Sequence, residues 1–322
     1  MTFHAPAGSE LSDLTKYTYG TTRLGDEKIP FADRVKTARA AMDAGVWFHT
    51  SHTYGDTFRV LRAAFDEDRA HVPPAIFKIG WNSIAEMRDV IRQNLEPLGL
   101  EKMAIGQLCL GQRLAAEFRT GGPCYEGFRR IREEGLVDRY VLEVWPWNSD
   151  VALDALRGGY PEGVVDGYIF YFNPLQRFVS NELFDLLQER NQPIIAMRTV
   201  GGGLVHRQRD VPGAAPDYLR ARAEQVAPLF ERSGCRSWTE FAVRYVFGFP
   251  LVRTTVGSTS RVENLQEFLD AAQSRDPLPD DIQAAMQALQ RSWAVEHDRL
   301  AAPWSCRATS CPGDARMASK PE

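Results

Sequence analysis

Short apolar runs alternate along the chain with longer stretches whose apolar residues recur every three or four positions. Eight of the runs are brief and rich in β-branched and aromatic residues: 17–20, 46–49, 75–79, 105–109, 140–144, 167–171, 193–197 and 252–256. Brief, nearly continuous runs of this kind suit parallel strands buried on both faces. Between them, "DRVKTARAAMDAG" (33–45) has apolar residues at helical spacing and ends on Gly45, which tolerates the left-handed stop of a helix. "SIAEMRDVIRQNLEPLG" starts at Ser83 with Glu86 three residues on, a capping-box pattern. "YEGFRRIREEG", "NELFDLLQERN" and "SWTEFAVRYVFG" repeat the helical spacing, and residues 212–234 read as a longer excursion holding an inserted helix.

Eight strands interleaved with helices predict an α/β fold, a (β/α)8 TIM barrel, as one domain over residues 1–304. An open doubly wound sheet is the alternative. Against it, no Gly-x-Gly-x-x-Gly follows an early strand. Residues 305–322 lack apolar periodicity and read as a flexible tail. A barrel carries its chemistry at the C-terminal ends of its strands. That rule singles out His49, Lys78, Cys109, Glu143, Phe172, Met197 and Gly257.

Composition narrows the classes. The 322 residues are 44% hydrophobic with a formal charge of −4. No basic stretch alternates with aromatics, so no nucleic-acid partner is expected. No apolar run approaches the roughly 20 residues of a membrane span. The N-terminal "MTFHAPAGSELSD" lacks the layout of a signal peptide, and a cytoplasmic location is expected. The five cysteines are odd in number and scattered, with no Cys-x-x-Cys pair, and read as reduced thiols without a metal site.

Tyr54 follows the second predicted strand and Lys78 lies within the third. A lysine in an apolar strand is costly unless it faces a functional cavity or a partner, or reaches out at the strand end. "AGVWFHTSHTYGD" (44–56), followed by a lysine ending the next strand, resembles the aldo-keto reductase superfamily. "LEPLGLEKMAIGQLCLG", "REEGLVDRYVLEV", "YIFYFNPLQR", "IIAMRTVGGGLV" and "VGSTSRVENLQEF" resemble five further motifs of that superfamily, in its order. The resemblance implies a tetrad of Asp, Tyr, Lys and His. In it the tyrosine protonates a carbonyl oxygen while a nicotinamide delivers hydride. Carried over by position, Tyr54 and Lys78 match, His49 stands where the aspartate would be, and Cys109 where the histidine would be.

The cofactor positions depart further. The Ser-Asn pair that holds the nicotinamide amide aligns with Glu143 and Val144, and the glutamine beside it with Ile169. The residue that stacks on nicotinamide aligns with Met197, followed by Arg198. In the last loop Ser258 replaces Lys, Thr259 replaces Ser, Asn264 replaces Arg and Phe268 replaces Asn, while Glu267 is kept. Arg261 remains to meet a phosphate, and Gly257 and the helix start to offer backbone N–H groups. The resemblance implies NADP or NAD as cofactor and a small-molecule substrate. His52, Trp81 and Trp145 are candidates for the substrate side, with Trp147, Phe172 and Met197 as further apolar lining.

With no carboxylate at position 49, the sequence predicts Tyr54 beside cations and a lowered phenol pKa, which favours a base. A neutral His49 could accept a hydrogen bond from Lys78, whereas a protonated one would set two cations face to face, and one proton should then be lost. Cys109 is read either as a nucleophile beside a cation or as a small residue enlarging the pocket. Three functions stay open: an NAD(P)H-dependent carbonyl reductase or the reverse dehydrogenase; an isomerase, epimerase or lyase using Tyr54 as base; and a catalytically inactive binding protein.

Overall fold

The computed structural model describes residues 11–201, 216–274 and 276–300. The predicted tail at 305–322 lies outside the described residues. The strands are β1 (Tyr17–Gly20), β2 (Trp47–Thr50), β3 (Ala75–Trp81), β4 (Met103–Leu110), β5 (Val137–Glu143), β6 (Gly167–Asn173), β7 (Gln176–Arg177), β8 (Ile194–Met197) and β9 (Val252–Ser258). Eight of them pair in parallel in the order β5-β4-β3-β2-β1-β9-β8-β6, and β5 pairs with β6 to close the ring. This is a (β/α)8 barrel. The two-residue β7, absent from the sequence reading, only turns back antiparallel on β6.

Helices surround the barrel where the periodicity places them, including Phe31–Asp43, Ile84–Leu95, Cys124–Glu133, Asn181–Glu189 and Trp238–Phe247. Their starts are set by local chemistry: Ser83, Ser180 and Ser237 each accept a backbone N–H three residues on, at 3.2 Å. The excursion at 212–234 contains the helix Pro216–Arg232. No described helix is long and apolar enough to cross a membrane.

Side chains alternate along each strand, so one set faces the helices and the other fills the barrel. Trp47, Ile76, Ile105, Val141, Ile169 and Ile195 are buried together in the interior set. Leu11 and Leu14 pack against them, and the Trp47 indole donates to the Asp13 carbonyl at 3.1 Å, so segment 11–14 stops the N-terminal end. Two residues further along each of the six strands come His49, Lys78, Gln107, Glu143, Tyr171 and Met197. The interior therefore changes from hydrocarbon to a largely polar layer toward the strands' C-terminal ends. Phe170 and Phe172 have the opposite parity. Phe172 is fully buried against Phe184, Tyr245 and Phe249 under the helices, so it does not line the mouth as the sequence reading had it.

Candidate active site

Lys78 and Tyr54 meet at the top of this polar layer. The Lys78 ammonium is 5.6 Å from the Tyr54 ring centroid, and the two residues are only 7% and 8% exposed. Tyr54 reaches in from the loop after β2, which is pinned on several sides. Its amide donates to Ser51 and its carbonyl accepts from Thr57, both at 3.1 Å. Buried Arg34 donates to the Leu24 carbonyl at 2.7 Å and to the Asp56 carboxylate at 3.1 Å, tying the neighbouring loop to this one. Asn94, fully buried on the helix Ile84–Leu95, accepts from the His52 amide at 2.9 Å and donates to the Lys78 carbonyl at 3.2 Å. One amide side chain thus joins the segments bearing the phenol and the ammonium.

The expected absence of a carboxylate is overturned. Glu143, at the end of β5, places Oε1 3.6 Å from the Lys78 ammonium, and its Oε2 accepts the Cys109 thiol at 2.9 Å. Both carboxylate and thiol are buried. Burial opposes the Lys78 charge, but the Glu143 carboxylate, foremost among its neighbours, raises its pKa well above the ordinary lysine value. The ammonium is retained. The expected drop in the Tyr54 pKa is overturned with it. Burial pushes the phenol up and Glu143 adds to this, outweighing Lys78 and Thr22, which favour the tyrosinate. Tyr54 is held as a neutral phenol, an acid.

His49 does not pair with Lys78. Its Nε2 is 2.6 Å from the Gln107 Oε1 and so carries the proton that it donates there. Burial, and next the charge of Lys78, lower its pKa to about 3, so the ring is neutral. Cys109 donates its thiol to the Glu143 carboxylate at 2.9 Å.

The other candidates divide. Met197 sits in the interior layer, 4.0 Å from the Gln107 amide nitrogen. Trp145 is buried in tilted contact with Tyr171 and Phe178, at 4.7 and 5.8 Å between ring centroids, which makes it a wall of the barrel top rather than open pocket lining. Arg198 takes a left-handed backbone, φ 53°, and lays its guanidinium 4.9 Å from the Tyr171 ring centroid. His52 is half-buried, and its backbone amide is held by Asn94 at 2.9 Å. Trp81 ends β3; the side chains of Trp81 and Trp147 lie outside the described residues.

A bound nicotinamide nucleotide would meet two different surfaces. At the end of β9, Gly257 passes so close to Phe268 that a Cβ would lie 2.4 Å from that ring, which itself stacks on Tyr17 at 4.9 Å. Phe268 is thus core rather than a ligand contact. The Ser258 hydroxyl accepts from the Arg23 amide at 2.9 Å, and the Thr259 hydroxyl accepts from the Arg261 amide at 3.1 Å. These hydroxyls shape the turn into the helix Val262–Gln273, with exposed Arg261 just before its first residue and Asn264 and Glu267 on its exposed face. Exposed Arg23 and Arg261 beside a helix N-terminus fit the phosphates. The nicotinamide end fits less well. Ile169 is apolar, and the Glu143 carboxylate already receives the thiol and lies beside the ammonium.

Sequence reasoning missed Gln107, Asn94 and the reach of Glu143. A signal existed for Gln107 and Glu143: each is a polar residue two positions after a buried apolar one in a strand run. Among the described residues no group of His, Cys, Asp or Glu side chains is arranged to hold a metal ion. Two surface grooves against Phe31, lined by residues such as Arg39 and Arg62, lie on the outer wall. Neither contains a residue of the buried cluster, so the chemistry is placed by the cluster and not by the grooves.

Residues 168–291 match the model of the Aldo/keto reductase family. No curated protein matches the chain. Among solved structures, an aldo-keto reductase from Bacillus halodurans in its holo form is 18% identical, with 86% of this chain and 95% of that one covered and a TM-score of 0.65. An aldo/keto reductase from Klebsiella pneumoniae, in complex with NADP and acetate, is 15% identical over 86% of this chain and 92% of that one, also with a TM-score of 0.65. At these identities the structures speak for the barrel alone, and the family model matches the segment 168–291, which is thus similar to the Aldo/keto reductase family.

Proposed function

We propose that the protein is an oxidoreductase that reduces a carbonyl compound with NADPH or NADH, Tyr54 supplying the proton. One observation carries this reading: a neutral phenol beside an ammonium whose charge is sustained by a buried carboxylate. The bound nicotinamide would supply hydride to the carbonyl carbon. Tyr54 then gives its proton to the carbonyl oxygen, and Lys78 stabilises the tyrosinate left behind. Glu143 balances the ammonium so that a buried cation persists through the step. The raised phenol pKa suits the acid role, and so reduction rather than oxidation. Arg23, Arg261 and the start of helix Val262–Gln273 support nucleotide binding through its phosphates. The solved relative with NADP supports the same cofactor class. A purely binding role is disfavoured by the desolvation of three ionisable groups that such a role would not use.

Fluorescence titration with NADPH and NADH, followed by turnover on a panel of aldehydes and ketones, tests the reading. Micromolar nucleotide binding and a Tyr54→Phe loss of about 10²–10⁴ in kcat are expected. A folded wild-type protein that binds neither nucleotide at millimolar concentration contradicts it. If a proton exchanges at carbon next to a carbonyl without nucleotide, the isomerase class takes its place.

A further inference from the structure

Lys78, Cys109 and Glu143 stand on three successive strands, β3, β4 and β5. For Glu143 to lie 3.6 Å from Lys78 it must cross the strand between them, and the residue on that strand end is Cys109. A thiol leaves room for this reach, and it also donates to the arriving carboxylate at 2.9 Å. An imidazole at 109, which the family resemblance implies, would fill the same space. On the other side of Lys78, position 49 holds a neutral histidine turned to Gln107. The three departures at 49, 109 and 143 therefore form one exchange.

We propose that Glu143 is the positioning carboxylate of Lys78, taking over from β5 the part that the resemblance assigns to a carboxylate at position 49 on β2, with Cys109 as the small residue that lets it cross. Glu143 acts through Lys78 rather than on substrate. The proposal rests on the carbonyl-reductase reading for its kinetic consequence, but not for the pairing itself.

Glu143→Gln keeps the shape and removes the charge. It is expected to lower kcat with little change in KM, and to move the alkaline limb of the pH–rate profile down by about 1–3 units, the scale of losing an opposite charge at this distance. Its Tm should fall. His49→Asp in the Glu143→Gln background returns a carboxylate from the other side and is expected to restore Tm, rate and pH profile together. His49→Asn in the same background should restore none of them. Cys109→His alone should reproduce the Glu143→Gln profile by displacing the carboxylate. An unchanged rate, profile and Tm in Glu143→Gln overturns the proposal. So does a damaged Glu143→Gln that His49→Asp rescues no better than His49→Asn. Should the wild-type chain transfer no hydride to any carbonyl tested, the functional reading fails, and the Tm comparison then decides the pairing by itself.

Discussion

Tyr54 shows how much a neighbour's side chain outweighs its own sequence position. The motif around it was legible, as was Lys78 in an apolar strand. The protonation state was not. It depends on Glu143, 89 positions away in sequence, and on the small thiol at Cys109 that lets the carboxylate through. Strand parity shows that a residue points inward but not how far its rotamer reaches. His49 carries a separate consequence. Its folded pKa, about 3, lies below the ordinary 6.5, so the unfolded chain binds its proton first as pH falls. The stabilisation from keeping this ring neutral is full above 6.5 and is lost between about 6.5 and about 3. The slope there approaches about 1.4 kcal/mol per pH unit. Urea unfolding at several pH values should show this slope in the wild type and its weakening in His49→Gln, and equal slopes in both would refute the assignment. The phenol predicts the opposite end of the scale. With its pKa raised above 10.0, Tyr54 should leave the reduction rate flat from neutral pH to at least that value. A fall in kcat/KM centred between pH 7 and 9 would argue against it as the acid.

At the scale of elements, the eight barrel strands were readable because each is a short apolar run with few competing patterns. Their ends were less so. β4 begins at Met103, two residues before the run read at 105–109, because backbone pairing with Val137 carries the strand through Met103 and Ala104. Connections between loops were invisible, since an asparagine in a helix pattern gives no hint of a double hydrogen bond. Asn94→Ala strips the His52 amide of its acceptor and is expected to cost about 1–3 kcal/mol. Because it also frees the Tyr54 loop from the Lys78 strand, kcat should fall more than nucleotide affinity. Equal losses in both would mean the amide only stabilises the fold. Gly80 is a second fixed point. It lies in β3 two residues after Lys78 with φ 140°, where a Cβ would meet the Cys109 carbonyl at 2.2 Å. Gly80→Ala should therefore push β3 from β4 at the site itself, lowering both Tm and activity.

At the scale of the molecule, the barrel separates stability from chemistry along its axis. Leu11 and Leu14 stop one end, six apolar side chains fill the middle, and the next residues on the same strands turn polar. The nucleotide half of the reading rests on the β9 loop and the helix after it, and the chemical half on Tyr54, Lys78 and Glu143. Transfer of deuterium joins the two. The measurement is mass spectrometry of the alcohol formed from a reactive aldehyde with NADPH or NADH deuterated at the transferable position, using wild type and Tyr54→Phe. The expected result is one deuterium on the product carbon with wild type and almost none in the same time with Tyr54→Phe. Deuterium that stays on both nucleotides with folded wild-type protein, or transfer by Tyr54→Phe at the wild-type rate, would contradict a reductase built on this phenol.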